Sequence, residues 1–218
     1  MVHVEQRVVA TGLGEALDGL LASVDRAPGR FLLGIAGPPG AGKSTVAAAV
    51  EQAANEQRGP GFAAVAPLDG FHLSNERLDE LGLRGVKGAP ETFDVEGFVH
   101  LLERVRNDPG STILWPAFDR TIEQTVPDAI PITDSTRLVV TEGNYLLLDR
   151  PGWREVRPLL DEAWYVDAPR SVLRERLLAR ALAGRTEAEA LAHVDGSDLR
   201  NAELIAATKP AADRELSS

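Results

Sequence analysis

Two hydrophobic patterns alternate along this chain. Short apolar runs, bounded by glycine, proline or charged residues, predict buried strands. They lie at residues 31–36, 62–70, 137–143 and 162–169, and a fifth, shorter run lies at 112–118. Longer stretches carry apolar residues at helical spacing, so that the leucines and the valine of residues 14–25 share one helix face. Further helices are predicted in the same way over 42–57, 95–107, 171–185, 187–194 and 199–210.

Strands that alternate with helices predict an α/β fold, in which helices cover both faces of a mostly parallel sheet in three layers. Two stretches interrupt the alternation. Residues 71–92 are rich in glycine and charge and predict a functional loop with one helical turn, while residues 119–135 predict a polar, proline-marked excursion. No repeat or linker divides the chain, so we expect a single domain over 1–218.

Composition narrows the classes of function. The chain has 218 residues, of which 44% are hydrophobic, and a formal net charge of −10. Such an acidic chain lacks the basic surface for general binding to nucleic acid or to an anionic membrane, so we expect neither partner. The absence of cysteine excludes disulfides and thiolate metal sites. The N-terminus lacks a signal-peptide pattern and no apolar run reaches membrane-spanning length, which predicts a cytoplasmic protein.

The stretch GIAGPPGAGKSTVAAAV, residues 34–50, matches the phosphate-binding pattern G-x-x-x-x-G-K-[ST] in full. A predicted strand precedes the pattern and a predicted helix follows it, which is the context in which such a loop binds nucleotide phosphates. An ordinary glycine-rich turn is the alternative, but it does not require every position of the pattern to be filled. The matching residues are Gly37, Gly42, Lys43 and Ser44.

The proline pair in this loop determines where its N–H donors lie. Pro38 and Pro39 have no N–H, so the donors must begin after them and continue to the start of the helix. Lys43 is expected to reach the β- and γ-phosphates, and Ser44 is expected to ligate Mg²⁺. The expected backbone donors are Gly40, Ala41, Gly42, Lys43, Ser44 and Thr45.

Acidic residues end two of the predicted strands, where parallel sheets bind their ligands. Asp69 is interpreted either as the base for an acceptor hydroxyl or as a turn-forming aspartate. Glu142 is interpreted as the carboxylate that orients Mg²⁺, with a solvated acid as the alternative. Asp94 directly precedes a predicted helix and is interpreted as its N-cap. His72 lies three residues after Asp69, within reach of the same pocket.

The predicted helix over 171–185 is rich in arginine. Arg174 falls inside its apolar arc, which is unusual for a solvated charge, and Arg180 lies beside that arc. A surface helix with an ion pair to Glu175 is one interpretation. The other is a helical lid over approximately 180–200 that closes cations over a transferred phosphoryl group.

Several longer motifs carry a resemblance that extends over residues 31–213. They are PLDGFHLSN, KGAPETFD, PAFDR, VTEGNYLLL and NAELIAATKPAAD. With them the chain resembles the phosphoribulokinase/uridine kinase family of P-loop kinases. Within that family it is most similar to a bacterial branch described as nucleoside/nucleotide kinase-like or fructose-transport-associated, and two of the motifs are similar to type I pantothenate kinases.

The resemblance implies a P-loop kinase fold and the phosphorylation of a primary alcohol on a small metabolite, with ATP and Mg²⁺. It implies that Asp69 is the general base, that Glu142 lies near the metal and that Asp94 binds hydroxyls of the acceptor. Arg120, in PAFDR, is implied in the acceptor pocket or at the phosphoryl group. The lid and base-binding residues implied in the same way are Arg180, Arg185 and Asn201.

The identity of the acceptor is the open question. Uridine kinases carry a Tyr-Asp-Phe…His stretch where this chain has PAFDRTIEQ, which disfavours pyrimidine nucleosides. The candidate pocket contains two carboxylates, which suit a polyol because each accepts hydrogen bonds from hydroxyls. Its single arginine suits a carboxylate or phosphate on the same molecule. We therefore rank a sugar or sugar-like polyol first, a nucleoside second and pantothenate third. The pocket residues are Asp69, His72, Asp94 and Arg120.

A nucleotide-binding regulator without catalysis is the alternative function. Such a protein would need Lys43 but not Asp69, so ATP turnover that depends on an added alcohol separates the two. A GTPase would need an N/T-K-x-D motif, and TKPAAD has the wrong spacing; the LSGGQ signature of transporter ATPases is also missing from the sequence. The oligomeric state stays open, and a homodimer is compatible with the sequence.

Overall fold

The computed structural model describes residues 2–218, with side chains described from residue 12 onward. The strands are β1 (Phe31–Ala36), β2 (Ala63–Pro67), β3 (Ile113–Asp119), β4 (Gln124–Ile132), β5 (Leu138–Gly143), β6 (Glu162–Asp167) and β7 (Arg214–Ser217). Five of them form a parallel sheet in the order β2-β5-β1-β6-β7. This confirms the predicted α/β fold. The expected domain, 1–218, also includes Met1, which lies outside the described residues.

Helices cover both faces of this sheet, as the sequence predicted. They are α1 (Val2–Arg26), α2 (Lys43–Arg58), α3 (Asn75–Glu80), α4 (Val95–Asn107), α5 (Arg170–Ala181), α6 (Glu187–His193) and α7 (Leu199–Ala206). Leu33 and Ile35 of β1 pack with α1, α2 and α5, whereas Leu32 and Ala36 pack with α4 on the opposite face. Every residue of β1 is therefore buried, as expected of a central parallel strand. Among residues 2–218, no helix is long and apolar enough to cross a bilayer.

The hairpin of β3 and β4 differs from the sequence prediction. The run at 112–118 does form a strand, but it pairs antiparallel with β4 outside the parallel sheet. The stretch 119–135 was expected to be an irregular excursion, and most of it is strand β4. Nearly all of β4 is exposed, so no alternation of apolar and polar residues marks it. Pro127 and Pro131 lie in this strand, which is compatible with its position at a sheet edge.

Two other segments complete the framework around the carboxyl ends of the strands. The loop predicted over 71–92 contains α3, whose N-terminus is capped by the Ser74 hydroxyl, and two short 3₁₀ turns, at Arg84–Val86 and Pro90–Thr92. Strand β7 was not predicted, because its four residues are mostly exposed and carry no hydrophobic pattern. It is defined by its parallel pairing with β6.

Candidate active site

Two glycines allow the backbone conformation of the loop between β1 and α2. Gly37 has φ 150°, and a Cβ at this position would lie 2.4 Å from the carbonyl oxygen of Val166. Gly42 has φ 92° and is the N-cap of α2, in the left-handed region that side chains disfavour. The pattern found in the sequence therefore corresponds to a tight turn that ends at the N-terminus of a 16-residue helix. This geometry is typical of an anion-binding loop.

Contacts from other parts of the chain hold the loop from outside the site. The Arg176 guanidinium donates to the carbonyl oxygen of Gly40 at 3.1 Å, and the Ser218 hydroxyl donates to that of Ala41 at 2.7 Å. The N–H of Ala41, one of the expected phosphate donors, instead donates to the carbonyl oxygen of Pro38 at 3.1 Å and closes a turn within the loop. The N–H of Ala41 thus forms a turn within the loop, and its role as a phosphate donor stays a prediction.

Lys43 is buried at the end of the loop, where two oxygens bind its ammonium group. Nζ donates to the carbonyl oxygen of Pro38 at 3.0 Å and to Oδ1 of Asn144 at 2.7 Å. Burial lowers the pKa of Lys43, and the negative charges of Glu142 and Asp69 oppose that shift. Asn144 directly follows β5, so the ammonium group of Lys43 lies at the carboxyl end of this strand, near the candidate acid Glu142.

Asn144 was missed by the sequence reasoning as a functional residue. Its position directly after the strand-end acid, in VTEGNYLLL, was the available signal. The next residue, Tyr145, donates its hydroxyl to the carbonyl oxygen of Gly88 and packs edge-on against Phe93. One dipeptide thus contacts the phosphate loop on one side and the 71–92 loop on the other.

Ser44 and Glu142, the two predicted metal ligands, lie in contact. The Ser44 hydroxyl donates to Oε1 of Glu142 at 2.9 Å, across the gap between α2 and the end of β5. Burial raises the pKa of Glu142, and the charge of Lys43 opposes that shift. In the described part of the chain, no three His, Asp or Glu side chains group as metal ligands. A hydroxyl and a carboxylate fit Mg²⁺, which takes few protein ligands and completes its shell with phosphate oxygens and water.

The structure brings Asp69 and Arg120 together. Asp69 lies in a 3₁₀ turn over Leu68–Phe71 at the end of β2, and Arg120 lies in the turn between β3 and β4. Their carboxylate and guanidinium form an ion pair in which both side chains remain partly exposed. Asp69, Arg120 and Arg180 all act electrostatically on the buried ammonium of Lys43. Charged residues from three other segments therefore act on the lysine of the phosphate loop.

The arginines at the end of α5 separate into two groups. Arg180 joins the site: solvent still reaches its guanidinium, yet partial desolvation and the positive charge of Arg120 lower its pKa. Arg185 is exposed, and its positive charge acts on the carboxylate of Glu189 and, together with Arg180, on that of Asp198, within the 180–200 segment. The structure does not bring Arg185 to the phosphate loop.

Ion pairs do occur on this helix, but with other partners than Glu175. Arg174 pairs with Asp195 at 2.9 Å, and Arg170 pairs with Glu203 of α7. Asn201 lies half-buried in α7, next to Ala202, which packs into the core cluster that also contains Ala41. The ion pair between Arg174 and Asp195 thus connects the helical segment over 180–200 to α5. The role of Asn201 remains a prediction.

A cavity of about 520 Å³ opens beside Asp69. Two of the predicted pocket residues, His72 and Asp94, line it; Asp69 precedes the lining residue Gly70, and Arg120 reaches Asp69 from the hairpin. Asp94 caps α4 by accepting the N–H of Gly97 at 3.0 Å. The N-cap interpretation is confirmed, and Asp94 is also one of the residues that line the cavity. The other lining residues are Phe71, Leu73, Ser74, Glu76, Pro116, Phe118, Glu123, Gln124 and Thr125.

Aromatic residues around this cavity already have partners. The His72 ring lies between Phe93 and Phe118, with ring centroids 4.1 Å and 4.8 Å away. Lys87 lies over Phe118, with Nζ 5.1 Å from the ring centroid. Phe71 packs edge-on against Trp115 at 5.2 Å. The described rings therefore form no open pair of faces between which a planar base could stack.

Similar proteins are known for this chain, although no protein-family model matches it. It is 41% identical over 176 residues to "Uncharacterized protein YggC" of Escherichia coli, which covers 78% of this chain and 71% of that protein. It is 36% identical over 183 residues to "Putative uridine kinase C227.14" of Schizosaccharomyces pombe, which covers 81% and 78%.

A solved structure of similar sequence covers nearly the whole chain. It is that of a "putative fructose transport system kinase" from Silicibacter sp. TM1040, with a TM-score of 0.85 and 38% identity over 93% of this chain and 98% of that one. The two structures therefore share one fold over nearly the whole chain. The chain belongs to the phosphoribulokinase/uridine kinase family of P-loop kinases.

Proposed function

We propose that this kinase transfers the γ-phosphate of ATP to a hydroxyl group of a sugar or sugar-like polyol. One observation carries the proposal: Asp69, held by Arg120, acts electrostatically on the buried ammonium of Lys43 and directly precedes Gly70, which lines a cavity of about 520 Å³. A carboxylate at this place can take a proton from a hydroxyl in the cavity, while the phosphate loop holds the donor nucleotide.

The charges around Asp69 suit an in-line transfer. As the acceptor oxygen bonds to the γ-phosphorus, the bond to the bridging oxygen of ADP breaks, and Asp69 takes the hydroxyl proton. Lys43 and Arg180 offset the negative charge that spreads over the transferred oxygens. Ser44 and Glu142 would hold Mg²⁺, which supplies further charge neutralisation when bound.

The aromatic rings at the cavity already pack against other side chains, which supports ranking a polyol above a nucleoside as the acceptor. A nucleoside base would need at least one free ring face. Of the two phenylalanines that line the cavity, Phe118 already packs against His72 and Lys87, and Phe71 already packs edge-on against Phe98 and Trp115. A polyol needs hydrogen-bond partners instead, and the cavity provides them. The names of similar proteins mention uridine in one case and fructose transport in another. We therefore keep a sugar or polyol first, a nucleoside second and pantothenate third.

Coupled ADP release tests the proposal. The full chain is assayed with ATP and Mg²⁺ against neutral sugars, polyols, nucleosides and pantothenate, with Lys43→Ala as the control for contaminating kinases. We expect ADP release to depend on an added alcohol and to be nearly lost in the Lys43→Ala variant. Tight ATP binding with no dependence on any alcohol would instead support the non-catalytic regulator.

A further inference from the structure

The walls of the cavity are acidic. Glu76, Asp94 and Glu123 line it, and its lining includes no lysine or arginine. Glu123 is neutralised by Lys87, whose Nζ lies 3.2 Å from Oε2. Within the described residues Glu76 and Asp94 form no ion pair. Glu76 is hydrogen-bonded to its own N–H and to Ser74 and lies within the field of Arg84, and Asp94 accepts the N–H of Gly97. The lining thus carries two acids without a directly paired cation.

The cations next to the cavity are already engaged. Arg120 forms its ion pair with Asp69, and Lys87 binds Oδ1 of Asn75 at 2.9 Å in addition to Glu123. An anionic group that entered the cavity would have to compete with these carboxylates for either cation. The walls therefore provide acceptors of hydrogen bonds in excess of free positive charge.

His72 adds a further hydrogen-bond acceptor. Its Nδ1 lies 2.9 Å from the carbonyl oxygen of Asp69, and a carbonyl only accepts, so Nδ1 carries the proton. Burial lowers the pKa of His72, with Lys87 and Arg120 acting in the same direction and the Asp69 charge opposing. In the neutral ring Nε2 therefore has a lone pair, and among the described residues it has no hydrogen-bond partner. His72 is fixed between two phenylalanine rings with 12% of its side chain exposed.

We propose that this cavity selects an uncharged or amine-bearing polyol and rejects acceptors that carry a carboxylate or phosphate. The inference rests on the proposed kinase function and narrows its acceptor. Hydroxyl and ammonium groups donate to His72 Nε2 and to the carboxylates of Glu76 and Asp94. A carboxylate or phosphate offers no such donor and is repelled by both acids, which is discrimination by an unfavourable contact.

Matched probes of one carbon skeleton test the selection. Glucose, glucosamine and glucuronate are compared by coupled ADP release, together with ribitol as a second neutral polyol and gluconate as a second anion. We expect kcat/KM for the neutral and amine probes to exceed that for the anionic ones by roughly tenfold or more. An anionic probe that is used as well as its neutral counterpart would overturn the inference.

Calorimetry of the same probes with the ADP-bound chain separates this inference from the proposed function. Tighter binding of neutral probes without turnover of any probe supports the selection and refutes the kinase proposal. Equal or tighter binding of the anions refutes the selection, whatever the turnover. Failure of all probes to bind refutes it as well, because the cavity would then not accept a polyol.

Two charge reversals on α3 test whether the acidic lining of the cavity causes the selection against anions. Glu76 lines the cavity, whereas Glu80, on the same helix, does not line it and pairs with Arg77 at 2.8 Å. Glu76→Lys is expected to shift the ratio of kcat/KM between glucose and glucuronate by about tenfold toward the anion. Glu80→Lys is expected to leave that ratio unchanged. Equal ratios in the two variants would show that the acidic wall does not select the acceptor.

His72→Phe tests the lone pair. The phenyl ring keeps the ring contacts with Phe93 and Phe118, so the variant should fold, but it loses Nε2 and also the hydrogen bond from Nδ1 to the carbonyl oxygen of Asp69. We expect KM for the polyol to rise about tenfold while KM for ATP stays the same, the effect of one lost hydrogen bond to the acceptor. An unchanged KM for the polyol would remove His72 from the acceptor site.

Discussion

Replacement of Asn144 by alanine tests how the site positions its buried lysine. In the folded chain two oxygens bind Nζ of Lys43, at 3.0 Å from Pro38 and at 2.7 Å from Asn144. The substitution removes the shorter of these hydrogen bonds and leaves the ammonium buried with one partner. Hydrogen bonds to charged groups contribute about 1.5–3 kcal/mol. At about 1.4 kcal/mol per factor of ten, that loss corresponds to a roughly 10- to 150-fold change.

Whether the substitution lowers kcat or raises KM for ATP depends on the step in which Asn144 positions Lys43. If Asn144 holds Lys43 for the transition state, kcat falls by this factor while KM for ATP changes little. If Asn144 only helps Lys43 to bind ATP, KM for ATP rises and kcat is kept. Steady-state kinetics by coupled ADP release, with the best alcohol from the acceptor panel, distinguishes the two. We expect the first result, because the charge on the γ-phosphate grows during transfer.

Asn55→Ala is the matched control. Asn55 accepts the N–H of Ala63 at 2.9 Å and donates to its carbonyl oxygen at 3.1 Å, at the junction of α2 and β2. This variant should lower the melting temperature through lost hydrogen bonds while kcat stays at the wild-type value. Wild-type kinetics in the Asn144→Ala variant would refute the positioning argument, and a kcat loss shared by both variants would assign the effect to stability.

Three further predictions concern the predicted acids and the lid. Asp69→Asn should lower kcat by roughly 10²–10⁴-fold with ATP binding nearly intact, since the amide cannot take the proton; collapse of ATP affinity with normal kcat would make Asp69 a metal ligand. Asp94→Ala should cost about 1 kcal/mol in thermal unfolding, as a lost N-cap, and also raise KM for the acceptor; unchanged KM would leave only the cap. Charge removal at Arg180 should reduce kcat more than at Arg185, and an ATP analogue should slow hydrogen exchange across the lid. Identical exchange with and without the analogue would contradict the lid.

Local chemistry explains what could be predicted before the structure. The phosphate loop depends on glycine conformations and on the helix that follows, so a contiguous pattern at 34–50 was enough to identify it. The parallel sheet was predictable because strands buried on both faces are continuous apolar runs. The cap role of Asp94 could also be predicted, since an N-cap depends on its next three residues.

Contacts between distant segments required the tertiary structure. Asp69 and Arg120 are 51 positions apart, and Lys43 and Asn144 are 101 positions apart, so no local pattern links either pair. Strands β4 and β7 were missed because they are exposed and their pairing, rather than their hydrophobicity, defines them.

The sequence by itself determined the phosphate loop, the α/β class and the position of each candidate acid at the end of a strand or the start of a helix. These features follow from neighbouring residues and from periodicity. Only the tertiary structure placed Arg180 near the loop and Arg185 away from it, and only the packing of His72 between two rings determined which of its nitrogens is free. The polarity of the cavity next to Asp69 is likewise the sum of contributions from side chains of separate loops. It arises when the chain folds, since burial and pairing decide which charges remain uncompensated.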